Sequence, residues 1–418
     1  MLFSITLMVG IVLTRRLGAL VLLLLVAAPA RISAPWGPVT AFEVFILPTL
    51  IVEILLAGKG HRRVLPYIWV SIMVAAFVGW ALFSAFWVTD GAAWLTRIMG
   101  ILEAVAAGWA AYLAAGRLGP WRAVGVLSVV GSVGAAWSLV WFYLLDRPVG
   151  FNLQPPAEAQ SAVSQALRLG SPLLGPSNYY ASFLLISIPV TLALAYRKKV
   201  YLLGVAVQLT ALAFTVSRGA FLAAGFVCVL AIVVYYGSSR RLPHGFALAG
   251  TSLVFMIGLP FLTQSATALL SQRQLSSSGD GVDVRTELWS TALELWSDHF
   301  WIGSGLGSWA SEVDLAGGSG AHNFLLQLGA ELGVVGFAIA VIAILVCLKM
   351  ALGVSDMRVR VAVFCAILAS VLNCLVEASF EGRVYTWALG TSLGVFVILV
   401  EQSRIVLSQP TEPVLIRG

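Results

Sequence analysis

The chain has 418 residues, of which 60% are hydrophobic and 11% charged, with a formal net charge of +6. Soluble domains carry roughly 25% charged residues, so this composition excludes an ordinary water-soluble enzyme and implies a polytopic helical membrane protein. The positive charge is spread over the loops between apolar runs, so no nucleic-acid partner is expected.

The N-terminus reads MLFSITLMVGIVLTRRLGALVLLLLVAAPA. Arg15 and Arg16 followed by Leu20–Ala28 resemble a signal peptide with an Ala28-Pro29-Ala30 cleavage site. The many later spans favour an uncleaved first helix. Leu2–Leu13 is a separate short span, an interfacial piece or part of that helix. Further spans are expected at Val39–Ala57, Pro66–Val88, Trp94–Ala115, Val124–Leu145, Tyr179–Tyr196, Val200–Val216 and Gly219–Tyr236. Phe246–Leu262, Asn323–Leu348, Val359–Phe380 and Tyr385–Val400 follow. With the N-terminal helix these make about twelve, each near the roughly 20 residues that cross a bilayer. The expectation is an all-α protein forming a single integral membrane domain over residues 1–418.

Two intervals, 146–178 and 263–322, are too long for simple turns. The first contains a possible amphipathic helix, Ala157–Leu169. The second has a flexible stretch, Ser276–Gly281, and then a helix through Val284–Trp296. Cys228, Cys347, Cys365 and Cys374 all fall inside apolar runs and read as small lipid-buried hydrophobes. There is no CxxC or Cys/His metal spacing.

Orientation follows from the basic residues. Alternate loops hold Arg15/Arg16, Lys59/Arg62/Arg63, Arg117/Arg122, Arg197/Lys198/Lys199, Arg240/Arg241 and Lys349/Arg358/Arg360. Every lysine lies in this set, so these loops are expected in the cytosol, together with the 401–418 tail. The two long intervals then face outward. The outward loops carry only scattered arginines, among them Arg168, Arg218, Arg273, Arg285 and Arg383.

Those arginines need a reason to be there. Arg218, in TVSRGAF, is flanked so tightly by apolar segments that its guanidinium is expected at the outer membrane–water boundary. It is either a snorkelling arginine against lipid phosphate or an anion site that grips phosphate oxygens with two parallel hydrogen bonds. Arg285 either pairs with Asp283 or Glu287 on a solvated helix or serves the same anion. Asp280 and Asp283 also admit a divalent cation. Of the four histidines, only His299 and His322 are expected outside. His322 stands at the first turn of the apolar run that continues to Cys347. Asn323 is a plausible cap for that helix. A neutral imidazole there suits a general base; helix capping is the alternative. His299 reads as structural. Gly303, Gly305 and Gly307, in WIGSGLGSW, lack the last glycine of a nucleotide loop and read as a tight turn that brings backbone close to the membrane. Glu103, Glu331 and Glu377 are carboxylates inside spans. Such groups need partners, but spacing does not reveal them.

The stretch from His322 resembles the O-antigen ligase family and its polymerase relatives. That family's signature is His, then Asn, Ser or Gln, nine residues, Gly, two residues, then Gly, Thr or Tyr. His322-Asn323, Gly333 and Gly336 match it in full. The family's Ser-Arg-Gly segment matches Ser217-Arg218-Gly219, and its outer-loop Arg followed by Trp resembles Arg285 and Trp289. The glycine turn is similar too, although Phe300 stands where a proline is usual. Gly175–Leu184 resembles the Pro-Asn-containing start of a span, with Ser177 replacing that proline. The resemblance covers roughly Arg168 to Tyr385.

The resemblance implies a GT-C-type membrane glycosyltransferase at the outer face of the bacterial inner membrane. A glycan would leave undecaprenyl diphosphate and join an acceptor hydroxyl, with lipid A-core as the leading acceptor. His322, Arg218 and Arg285 would be catalytic, and Arg168, Asn178, Asn323 and Arg383 would contact substrate. No metal and no cofactor are expected, since two arginines can take the charge of the diphosphate. A polymerase extending a lipid-linked repeat unit and a protein O-glycosylating ligase share this donor chemistry, and the motif does not separate them. A lipid-linked glycan transporter would instead favour charged residues lining a path through both leaflets.

Overall fold

A computed structural model describes residues 31–34, 37–40, 51, 67–143, 169–170, 177–195, 197–215, 217–237, 280–313, 320–377 and 383–408. The expected N-terminal helix, the Phe246–Leu262 span, Arg168, residues 276–279 and residues 409–418 lie outside the described residues. So does most of the expected Val39–Ala57 span.

The architecture is helical, because in hydrocarbon each backbone N–H and C=O must be satisfied within its own segment. A short antiparallel hairpin comes first, β1 (Arg31–Ala34) against β2 (Gly37–Thr40), with Ala34 opposite Gly37. The helices are α1 (Ile68–Phe83), α2 (Gly91–Leu118), α3 (Pro120–Tyr143), α4 (Ser177–Ala195), α5 (Tyr201–Thr215) and α6 (Arg218–Gly237). After them come α7 (Asp280–Asp298), α8 (Trp309–Glu312), α9 (Phe324–Leu352), α10 (Met357–Cys374) and α11 (Arg383–Ser408). Among the described residues, 6 helices are long and apolar enough to cross a membrane, namely α1 with its short 3-10 extension, α2, α3, α4, α9 and α10. The shorter α5 is apolar as well.

Helix ends extend beyond the apolar runs where a local signal permits. Asp90 caps α2, its side chain accepting from Ala92 N and Ala93 N at 3.0 Å each. Pro120 opens α3, where its missing N–H costs nothing. Asp356 caps α10 through Arg358 N at 2.9 Å.

Small residues let α2 and α11 pack closely. A Cβ on Gly390 would run into the Ala104 carbonyl, and one on Gly394 into the Gly108 carbonyl. Trp387 Nε1 ties the pair by donating to Glu103 at 3.0 Å, which identifies a partner for that buried acid. Gln208 Nε2 joins α5 to α3 and α4, donating to Ser132 and Thr191 at 2.9 Å each. The most enclosed span is α4, with 78% of its apolar window buried against 11% for α1. Helix α10 packs against α4, α6 and α9.

This packing gathers two sets of polar residues at opposite ends of the bundle. At one end the Arg197 guanidinium lies 3.2 Å from the Trp121 ring centroid and 3.8 Å from Asp356. That gathers the α2–α3, α4–α5 and α9–α10 turns, with Lys198, Lys199, Arg358 and Arg360, into one basic face. At the other end lie the first residues of α4, α6 and α9 and the last turn of α10.

Candidate functional site

The site is built around the start of α9. Asn323 caps it, its Oδ1 accepting from Leu325 N at 3.1 Å and Leu326 N at 3.2 Å, as the sequence suggested. His322 precedes the cap with φ +50, in the left-handed region that side-chain-bearing residues rarely occupy. Its Nδ1 lies 3.9 Å from Glu377 Oε2. Burial first, and the nearby Arg285 guanidinium second, hold this imidazole below its ordinary value. It is therefore neutral near pH 7, and its approach to Glu377 is not an ion pair under those conditions.

Glu377 is the hub. It follows α10 by three residues and is buried. Asn178, in the first turn of α4, donates its Nδ2 to Glu377 Oε2 at 2.7 Å. Arg285, on the second turn of α7, donates Nη2 to Oε1 at 3.3 Å. A lone buried carboxylate would be costly, and these donors satisfy it. The carboxylate is 4% exposed and the Arg285 side chain 36% exposed. The guanidinium, with five N–H donors, is therefore anchored on its inner side and open on its outer side.

The first turn of α6 closes the cluster from a fourth direction. A Cβ on Gly219 would stand 3.2 Å from Asn373 Oδ1 and 3.3 Å from Glu377 Cγ. The backbone of Arg218 is thus one residue from van der Waals contact with the end of α10. Asn373 also donates to Ser182 Oγ at 2.7 Å, locking α10 to α4.

The glycine turn is spliced into α9 further along that helix. Gly333 has φ +66 and ψ −170, which breaks the helix. The carbonyls that lose their helical donors find others. Ala330 O accepts from Ser304 N at 3.0 Å, Glu331 O from Gly305 N at 2.8 Å, and Leu332 O from Trp80 Nε1 at 2.9 Å. In return Val334 N donates to Phe300 O at 2.8 Å. A Cβ on Gly333 would strike the Trp301 carbonyl, and one on Gly303 the backbone of Glu331. The signature glycine is there because the helix stops and restarts at that point. The turn expected to approach the membrane docks onto this broken helix.

The structure thus brings together Asn178, Arg285, His322 and Asn323, with the backbone of Arg218 alongside. Arg383 opens α11, and Arg168 lies outside the described residues. His299 is exposed and away from the cluster; its carbonyl accepts from Gly303 N at 2.8 Å and so supports the glycine turn. Glu377 was not among the site residues read from sequence. The signal for it was an acid near the end of an apolar run. Among the described residues, no group of three or more His, Cys, Asp or Glu is arranged to hold a metal ion.

The fold and this cluster define a polytopic helical membrane protein with a polar, arginine- and histidine-bearing site at one end of its bundle. A family model described as O-antigen ligase matches residues 203–341, which include Arg218, Arg285, His322 and Asn323. That match supports assigning the chain to the O-antigen ligase family, whose members suggest glycan transfer of the ligase or polymerase type. No curated protein matches the chain.

Proposed function

We propose that this protein transfers a glycan from undecaprenyl diphosphate to an acceptor hydroxyl, lipid A-core in the leading reading, at the periplasmic face of the inner membrane. The observation that carries the proposal is the meeting of a neutral imidazole and an arginine on one buried carboxylate, at the end of the bundle remote from the basic face. The acceptor oxygen forms a bond to the anomeric carbon as the bond from that carbon to the diphosphate oxygen breaks. The acceptor proton passes to His322, and the leaving diphosphate takes up the negative charge. With Nδ1 turned toward Glu377, Nε2 is the nitrogen left to accept that proton. The outer side of the Arg285 guanidinium and Arg218 stabilise the diphosphate, in the role a metal would otherwise take. Glu377 holds Arg285 in place and orients the imidazole, while Asn178 and Asn323 fix the carboxylate and the start of α9.

A lipid-borne substrate also accords with an apolar cavity of about 980 Å³ among α1, α2, α9, α10 and α11. Its lining includes Tyr179 and Phe324, the chain neighbours of Asn178 and Asn323. The test is reconstitution with a polyprenyl-diphosphate-linked glycan and alternative acceptors, comparing wild type with His322→Asn. General base catalysis contributes about 10²–10⁴-fold, so the variant is expected to bind donor and transfer slowly. Because the imidazole sits below its ordinary value, the wild-type rate should stay level through neutral pH and fall only on further acidification. A His322→Asn enzyme with wild-type single-turnover rate removes the base. Growth of the lipid-linked chain, with no transfer to lipid A-core, selects a polymerase.

A further inference from the structure

We propose that Glu331 is a positioning residue: its carboxylate clamps the glycine turn onto the break in α9 and thereby sets the separation between Arg285 and His322. This rests on the transfer reading above for its functional consequence, but not for its geometry. Arg285 rides on α7, and His322 stands at the head of α9. The two helices lie side by side, with the Trp296 ring packed on Gly329 so closely that a Cβ there would penetrate it. From Asp298 the chain passes directly into the turn, so whatever fastens the turn to α9 also fixes the far end of α7.

Glu331 fastens it through both main chain and side chain. Its carbonyl accepts from Gly305 N at 2.8 Å. Its Oε2 accepts from Gly307 N at 2.9 Å, and its Oε1 accepts from Gln327 Nε2 at 3.0 Å. The residue is buried inside a candidate span. An apolar side chain there would leave the Gly307 N–H without this acceptor, and a buried unpaired donor is costly. The carboxylate lies a full nine positions beyond His322, so it acts on the reacting atoms through α7 and α9, although Glu331 and Gln327 also line the apolar cavity.

The clamp predicts a specific pattern. Glu331→Ala frees the turn, lets α7 shift along α9 and misplaces Arg285. A displacement of about 1 Å costs about 10²-fold in rate, expected in kcat with donor KM largely retained. Glu331→Gln keeps an oxygen that accepts from Gly307 N and should restore the rate to within a few-fold. Gln327→Ala, a milder change, should weaken the clamp in the same direction. The experiment pairs single-turnover transfer with spin-label distance measurement between Leu293→Cys on α7 and Ile342→Cys on α9, both exposed, in a background without native cysteines. The α7–α9 distance distribution should broaden in Glu331→Ala and narrow again in Glu331→Gln. An unbroadened distribution with wild-type rate in Glu331→Ala overturns the clamp. If that variant does not fold, the same result in Gln327→Ala overturns it. A Glu331→Gln enzyme as slow as Glu331→Ala also overturns it, because the charge and not the clamp is then required. Loss of the transfer reading alone would show as no transfer in wild type, with the distance response intact.

Discussion

Removing the charge on Glu377 tests whether the buried carboxylate organises the site. Glu377→Gln preserves size but leaves one oxygen to accept where two accepted before. In the native site Oε2 takes Asn178 Nδ2 at 2.7 Å and Oε1 takes Arg285 Nη2 at 3.3 Å. The new amide NH₂ must face one of these donors, so at least one hydrogen bond is lost. Hydrogen bonds to charged groups contribute about 1.5–3 kcal/mol. Since about 1.4 kcal/mol is tenfold in rate, transfer should fall about 10–10²-fold if that loss reaches the transition state. A second effect has a fixed sign. The carboxylate 3.9 Å from His322 Nδ1 favours the imidazolium, whereas Arg285 disfavours it. Removing the carboxylate while keeping Arg285 moves the acid limb of the pH–rate profile to lower pH. The assay is single-turnover transfer across pH in nanodiscs, with donor binding measured separately. A wild-type rate with an unmoved acid limb would refute the hub. So would a double-mutant cycle in which Glu377→Gln and Arg285→Ala act independently.

The arginines and the orientation are checked separately. Arg218→Ala and Arg285→Ala should each lower transfer by about 10²–10³-fold, the usual cost of one electrostatic donor, with only partial rescue by lysine; near-normal turnover at equal protein level removes them from the mechanism. Impermeant thiol labelling from the periplasm should reach Ser290→Cys but not Lys198→Cys in a background without native cysteines, and the reverse pattern would invert the proposed topology.

The helical architecture was legible because apolar runs and backbone satisfaction in lipid leave few alternatives. Local signals sharpened it. Asn323 caps α9 as its position suggested, and α7 begins several residues before the expected Val284. What periodicity could not show was the break inside α9. Asn323–Leu348 reads as one uninterrupted apolar run, since Gly333 alone does not end a helix. The break exists because a turn about thirty positions earlier in the chain supplies replacement donors, through Ser304 N and Gly305 N. No feature of the run itself records them.

The site divides along the same line. His322 and Arg285 carry recognisable neighbours in sequence, and both lie within residues 203–341 that match the family. Glu377 lies beyond that stretch, and its two donors are 92 and 199 positions away along the chain. Charge in an apolar segment predicts that a partner must exist, but the choice among distant donors is made by helix packing. The small residue Gly219 brings α6 against the end of α10, and Asn373 pins α10 to α4 through Ser182. Only then does Asn178 meet Glu377. All three acids that the sequence marked as needing partners have them, and each partner set joins elements distant in the chain: Glu103 to Trp387, Glu331 to Gly307, Glu377 to Asn178 and Arg285. In this bundle the buried carboxylates are therefore the points where tertiary packing is specified, and Glu377 is the one on which the imidazole and the arginine meet.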